Sequence, residues 1–304
     1  MKLKTKNLLT LGELSQKEFS QLIEFSIKLK KELKEGTSKP LLKNKTLTMI
    51  FQKPSTRTRV SFEIGMFQLG GKAVNLSSND MQLSRGESVE DTAKTLSSYT
   101  DCIMARVYDH DLLEKLSEYS SVPVINGLSD SFHPCQILAD FMTIKEKKRK
   151  LKGLKLAWIG DGNNVCNSMI YGCALAKMKM SIATPKGFEP NQTVVAEGKK
   201  HTDIEVTTDP LKAIKNADVV VTDTFTSIHN RDPKRTKKFL PKYQVNPNLM
   251  KHAKKNAIFM HCLPAKRESE VTSSVIDGPQ SVVWDEAENR LHSQKALLAF
   301  LIHA

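Results

Sequence analysis

Ser55-Thr56-Arg57-Thr58-Arg59 packs hydroxyls and two guanidiniums into five consecutive positions. The segment follows the apolar run Leu47–Phe51 and precedes a helical pattern marked by Val60, Ile64, Phe67 and Leu69. Ser55 suits the N-cap of that helix. A helix start offers unpaired N–H donors and a partial positive charge, which together bind anions. Arg57 and Arg59 add planar, multi-donor forks matched to phosphate oxygens. The chemistry expected here is the gripping of a phosphoryl group. A capped surface helix with a charged first turn would show the same spacing.

Other polar clusters end apolar runs in the same way. Arg106 closes Met104-Ala105-Arg106-Val107; it points at a ligand crevice or is an edge residue in an ion pair. In Ser131-Phe132-His133-Pro134-Cys135-Gln136, Pro134 suits the first helical position. His133 and Gln136 then lie one turn apart, where both can donate to a carbonyl oxygen; a capping histidine is the plainer alternative. Further on, Leu156–Gly160 leads into Asp161-Gly162-Asn163-Asn164-Val165. This starts like a dinucleotide fingerprint, but Val165 stands where a third glycine belongs, and Pro185-Lys186-Gly187 stands where a ribose-binding acid belongs. A nicotinamide-dependent dehydrogenase is therefore the weaker reading. Val219–Thr222 runs into Asp223-Thr224-Phe225-Thr226-Ser227-Ile228, and Ile258–Met260 into His261-Cys262-Leu263-Pro264. Glu286-Ala287-Glu288-Asn289-Arg290 stands near the end. By themselves, Cys262 reads equally as a core thiol and Arg290 as half of a helix-surface ion pair.

The elements that must position these residues alternate. Buried strands are expected at Leu47–Phe51, Ala73–Leu76, Cys102–Val107, Pro123–Asn126, Leu156–Gly160, Ser181–Thr184, Val219–Thr222 and Ile258–His261. Helices are expected at Thr56–Leu69, Ser88–Tyr99, Leu112–Ser120, Pro134–Lys147, Asn164–Met178 and Pro190–His201. Such alternation predicts an α/β fold of parallel sheets with helices on both faces. Ligands in such sheets sit at the carboxyl ends of strands, where every polar cluster above falls. At roughly 100–200 residues per domain, 304 residues make about two. The basic run Lys145–Lys155 marks the hinge, with about four strands in each half. Leu291, Leu297, Leu298 and Leu301 give the last segment, Glu286–Ile302, the pattern of an amphipathic helix.

Composition narrows the classes. No apolar run approaches the roughly 18 residues that span a bilayer, and the start lacks a long apolar segment, so a cytoplasmic protein without membrane contact is expected. Five cysteines in no C-x-x-C pair argue against a disulfide framework or structural zinc, and read as small buried residues, Cys262 excepted. The net charge of +13 admits nucleic acid or an anionic substrate. Its excess lies in lysine-rich runs, Lys145–Lys155 and Arg231–Lys242, whose plain reading is a solvated face. Nucleic acid is disfavoured, because the telling arginines sit at strand ends and not along one helix face.

S-T-R-T-R followed by H-P-C-Q resembles the aspartate/ornithine carbamoyltransferase family. W-I-G-D-G-N-N, D-x-x-x-S, H-C-L-P and E-A-E-N-R resemble its ornithine branch, over roughly Leu8 to Phe300. The resemblance implies two doubly wound parallel-sheet domains with an active-site cleft between them. It implies a carbamoyl-phosphate domain at 1–147, an ornithine domain at 148–285, and a C-terminal helix, 286–304, returning to the first. Ser55, Thr56, Arg57 and Thr58 would hold the phosphate. Arg106, His133 and Gln136 would hold the carbamoyl carbonyl or the phosphate, with Arg290 reaching the same substrate. Gln82 matches a loop lent to a neighbouring subunit. Asn164, Ser227 and Ile228 would hold the amino acid and Asp223 its α-ammonium; Cys262 would contact the reacting δ-amine and, with the Leu263 backbone carbonyl and Gln82, also border the carbamoyl phosphate, so that Arg106, His133 and Cys262 are the implied catalytic residues. The implied reaction is carbamoyl transfer from carbamoyl phosphate to L-ornithine, giving citrulline and phosphate in arginine metabolism. A homotrimer or an assembly of trimers is implied, with no metal or organic cofactor. One departure stands out: the branch's S-M-G is Ser227-Ile228-His229 here. A related acceptor such as putrescine or an acetylated ornithine is the alternative, though Asp223 suits a free α-ammonium.

Overall fold

The computed structural model describes residues 3–77, 81–226 and 233–302. The chain forms two compact units, one of Met1–Met142 with Glu288–Ala304, the other of Thr143–Ala287.

In the first unit, α1 (Gln16–Lys34) starts in a capping box: the Glu18 carboxylate accepts the Ser15 N–H at 2.9 Å, and the Ser15 hydroxyl accepts the Glu18 N–H at 3.3 Å. There follow β1 (Thr46–Phe51), α2 (Arg57–Gln68), β2 (Lys72–Ser77), α3 (Val89–Tyr99), β3 (Cys102–Arg106), α4 (His110–Tyr119), β4 (Val124–Leu128) and α5 (Pro134–Lys148). The four strands are parallel in the order β2-β1-β3-β4. The second unit runs β5 (Lys155–Ile159), α6 (Asn164–Ala176), β6 (Lys179–Ala183), α7 (Gln192–Lys199), β7 (Ile204–Thr207), α8 (Pro210–Ile214), β8 (Val219–Val221) and β9 (Ile258–Met260). Its five strands are parallel in the order β7-β6-β5-β8-β9. The fifth strand, β7, was not expected. Ile204-Glu205-Val206-Thr207 alternates on a half-exposed edge and lacks the continuous apolar run that betrays a central strand.

Strand order reverses between β1 and β3 in one sheet and between β5 and β8 in the other. These are the switch points at which open α/β sheets leave a crevice at their carboxyl ends. β1 and β3 lead to Arg57 and Arg106, and β5 and β8 lead to Asn164 and Asp223.

Two expectations are corrected. Thr56, not Ser55, is the N-cap of α2; its backbone is already helical (φ −79°, ψ −58°) and its side chain makes no cap bond. The C-terminal helix (Val283–Ile302) is not amphipathic, since Ala296–Ile302 are all buried. From Glu288 on it belongs to the first unit: Lys30 Nζ donates to Asn289 Oδ1 at 2.7 Å, Gln294 Nε2 to Ser61 Oγ at 2.8 Å, and Lys295 Nζ to Gln68 Oε1 at 2.9 Å. A helix covered on more than one side needs polar residues that find partners, and this pattern looks like surface polarity in the sequence.

His292 of this helix is 2% exposed, with Nε2 3.7 Å from Glu288. Burial, and then the nearby Lys295 and Lys30 charges, push its pKa down to about 4. The unfolded chain therefore binds a proton here near pH 6.5 and the folded chain does not. Stability from this group is present above about pH 6.5 and falls away toward pH 4. Relative to His292→Gln, the parent protein should lose on the order of 3 kcal/mol across that window. Urea melts of both proteins at pH 7 and pH 4.5 check this, and parallel losses would refute it.

Candidate functional site

The segment after β1 lines a cavity of about 350 Å³ with Gln52, Lys53, Ser55, Thr56 and Arg59, closed on one side by Asn75 and Ser77 of β2. Thr58 is buried, Ser55 and Arg57 are half-buried, and Thr56 is exposed. The half-cap at Thr56 leaves the first-turn N–H groups of α2 without a side-chain cap from it. Lys53 was not expected in the site. Its ammonium lies 3.9 Å over the Tyr108 ring. Burial, reinforced by the Arg106 charge and opposed by Asp130, lowers its pKa to about 8. A lysine inside an aromatic and proline setting leaves no periodic signal in the sequence.

Arg106 ends β3 where the pairing with β4 slips by one residue. Ala105 stands opposite Asn126, and Arg106 opposite Leu128. Such a slip re-aims the side chain that follows it. His133 and Gln136 are buried at the start of α5. Arg290 is buried too, and joins them: Nη1 donates to Gln136 Oε1 at 2.6 Å and Nη2 to Thr58 Oγ1 at 3.1 Å. Gln136 Nε2 in turn donates to Asp140 Oδ1 at 2.8 Å. The surface ion pair considered for Arg290 is thus replaced by a buried network linking α2, α5 and the C-terminal helix. The network fixes the amide orientation of Gln136 and holds Thr58 Oγ1 as an acceptor. Gln82 is exposed at the start of a 3₁₀ turn, Gln82–Arg85.

In the second unit, Asp223 is buried just beyond β8 and accepts three hydrogen bonds. Its Oδ2 takes Asn163 Nδ2 at 2.7 Å, and its Oδ1 takes the Thr224 N–H at 2.7 Å and the Cys262 S–H at 3.3 Å. Asn163 is the N-cap of α6, and its Oδ1 accepts from the Val165 and Cys166 N–H groups. Cap and carboxylate clamp are thereby one side chain. Asn164 is buried with its Oδ1 on the Val165 N–H at 3.1 Å. Gly162, half of the apparent dinucleotide motif, has a packing reason: a Cβ there would lie 2.2 Å from the Pro190 nitrogen. Ser227 and Ile228 lie outside the described residues.

Cys262 is half-buried, whereas Cys102, Cys135, Cys166 and Cys173 are buried free thiols. Burial raises the proton affinity of all four, with Cys135 pushed up to about 12. His261 holds the turn after β9: its Nδ1 accepts the Leu263 N–H at 2.9 Å, its Nε2 meets Glu270 at 3.2 Å, and its own N–H reaches Glu286 at 3.0 Å. Leu263 adopts a left-handed φ of +55°. Asp223, His261 and Cys262 bring ligand atoms within 4.8 Å of one another. Both His261 nitrogens are engaged, however, so this trio is a poor metal cage. The arrangement offers a carboxylate and a thiol to a cationic or amine ligand.

Comparison with known proteins places these features. Residues 6–146 match the carbamoyl-P binding domain, and residues 152–301 the Asp/Orn binding domain, of aspartate/ornithine carbamoyltransferase. The chain is 62% identical over 302 residues to an ornithine carbamoyltransferase of Cenarchaeum symbiosum, covering 99% of each. It is 51% identical to one of Carboxydothermus hydrogenoformans, covering 98% of this chain and 97% of the other. The structure resembles that of an ornithine carbamoyltransferase from Pyrococcus furiosus with a TM-score of 0.93 at 50% identity, over 98% and 97% of the two chains. The two domain matches and these full-length relatives agree with what the sequence motifs suggested: the chain belongs to the aspartate/ornithine carbamoyltransferase family.

Proposed function

We propose that this protein transfers the carbamoyl group of carbamoyl phosphate to the δ-amine of L-ornithine, releasing phosphate and citrulline. The observation that carries the reading is the anion cradle at the β1/β3 switch point, with the cation-accepting carboxylate Asp223 at the equivalent β5/β8 point of the other unit. Ser55, Thr56, Arg57 and Thr58 grip the phosphate. Arg106, His133 and Gln136 address the carbamoyl oxygen, and Arg290 acts through Thr58 and Gln136. Asp223, Asn164, Ser227 and Ile228 hold the amino acid, with Cys262 and the Leu263 carbonyl toward the δ-nitrogen. The relatives of the ornithine branch and the free α-ammonium that Asp223 suits favour ornithine over putrescine.

The amine attacks the carbamoyl carbon as a neutral nitrogen, although a free alkylammonium has a pKa of about 10.4. A new C–N bond forms, negative charge gathers on the carbamoyl oxygen, and the C–O bond to phosphate breaks as the nitrogen sheds a proton. Donors held in place before the reaction stabilise that oxyanion without reorganising, each worth roughly 3 kcal/mol. Holding both substrates in line supplies much of the remainder. The decisive experiment is a citrulline assay with carbamoyl phosphate and a panel of amines; product from putrescine or acetylated ornithine but not from ornithine would overturn the reading.

The proposal includes a homotrimer acting in the cytoplasm on a pathway of arginine metabolism. Val60, Ile64 and Phe67 form an exposed stripe along α2, Phe67 at 77%, with exposed Val74 on the adjoining β2. Contiguous exposed apolar surface of this kind marks an interaction site. Sedimentation equilibrium should give three times the mass of one chain, and Phe67→Glu should dissociate it. A monomeric parent protein would sink the trimer. Free thiols throughout suit a reducing compartment. Among the described residues, no helix is long and apolar enough to cross a membrane.

A further inference from the structure

Arg235 belongs to the basic stretch whose plain reading was a solvated face, yet its side chain is only 19% exposed. Its Nη2 donates to the Asp161 carboxylate, and its Nε donates to the Phe225 carbonyl at 3.1 Å. The guanidinium lies 4.5 Å over the Phe188 ring. Phe225 stacks on Phe239 at 4.5 Å and 10°, and Phe188 meets Phe239 edge-on at 4.9 Å. One side chain thus ties the turn after β5, the chain leaving β8 and the loop at Phe188 to the apolar cluster beneath them.

The tied points flank Asp223. Asp161 lies two residues before Asn163, which donates to the Asp223 carboxylate, and Phe225 lies two residues after Asp223. Asp161 and Asp223 are also close enough to feel each other's charge, and Arg235 opposes that repulsion. Without the guanidinium, a second buried carboxylate would stand beside Asp223 with nothing to satisfy it, and a cationic ligand would have two anions to choose from.

We propose that Arg235 is a positioning residue of the acceptor half-site: it clamps Asp161 and the Phe225 carbonyl so that Asp223 is fixed, and keeps Asp161 from competing for the amino acid's cationic group. This rests on the reading of the second unit as the ornithine site. The test uses the full-length protein with Arg235→Gln, Arg235→Lys and the double variant Asp161→Asn/Arg235→Gln. Arg235→Gln should raise the KM for ornithine about tenfold or more while the calorimetric Kd for carbamoyl phosphate stays within about twofold. Arg235→Lys should fall between, because an ammonium can reach Asp161 but lacks the fork that also serves Phe225. The double variant should recover part of the lost ornithine KM, which a purely structural defect would not allow. An ornithine KM unchanged in Arg235→Gln, equal weakening of both substrates, or no recovery in the double variant would overturn the clamp. Should Arg235→Gln fail to fold, Arg235→Lys decides by the same KM split. Parent enzyme that forms no citrulline would sink the activity itself, which is a separate outcome.

Discussion

Arg57→Ala should abolish turnover to about one part in a thousand or less while leaving the protein folded. Removing a single positioned donor to developing charge costs roughly 10²–10³ in rate, and Arg57 supplies a whole fork. It opens α2, and the helix is secured elsewhere, by buried Phe62 and Met66 and by the Gln294 bond to Ser61. A half-buried charge at a first turn contributes little to stability, on the order of 1 kcal/mol or less. Catalysis and stability are therefore expected to part company at this residue. Arg57→Lys separates charge from shape: a point charge keeps the attraction for phosphate but loses the two-pronged geometry, so activity should recover only in part. Initial rates at saturating ornithine, with thermal melts as the control, measure both. A folded Arg57→Ala protein with normal turnover would remove the anion cradle from the mechanism.

The strand-end placement of Ser55–Arg59 was legible because its signal is local. An apolar run, hydroxyls, arginines and a helical period are contiguous, and the strand-end rule needs only the order of elements. Central strands announced themselves by continuous burial, as in Leu47–Phe51. The edge strand β7 did not, and α1 lies outside the expected helices although the chain carries its capping box, Ser15-x-x-Glu18. What stayed hidden was tertiary. Arg290 pairs with Thr58 across 232 residues and with Gln136 across 154, distances no local pattern reports. Arg235 sits among lysines that composition alone assigns to solvent, and only the packing of Phe188, Phe225 and Phe239 distinguishes it. Lys53 shares that fate. The bond from Asn163 to Asp223 is equally hidden, because two adjacent amides differ only in which one caps the helix.

The two half-sites are built on different logic, and that shapes what mutations do. The proposed carbamoyl-phosphate site spreads its donors over α2, β3, α5 and the C-terminal helix. The second converges on one acceptor. Asn163, Thr224 and Cys262 all spend a donor on Asp223, and two of those bonds are 2.7 Å long.

Asp223→Ala should accordingly raise the KM for ornithine by about a hundredfold or more, with a further fall in kcat, while carbamoyl phosphate binds as before. A charge-assisted hydrogen bond to a buried carboxylate is worth roughly 1.5–3 kcal/mol, and truncating one partner of a buried charge pair costs roughly 3–5 kcal/mol. A hundredfold loss corresponds to about 2.8 kcal/mol, the top of the first range and the foot of the second. Asp223→Asn is the sharper probe. A carboxylate presents two acceptor oxygens to its three donors, but a carboxamide presents one oxygen and an NH₂ group. Whichever way the amide turns, its NH₂ faces a donor: Asn163 on one side, or the Thr224 N–H and Cys262 S–H on the other. The isosteric variant should therefore be nearly as impaired as the truncation, the reverse of what simple loss of volume would give. Calorimetry with carbamoyl phosphate alone provides the control, because the cradle lies in the other unit. If Asp223→Asn kept near-normal ornithine affinity, the carboxylate would not be the anchor, and if both variants lost both substrates equally, the assignment of one substrate to each unit would fail.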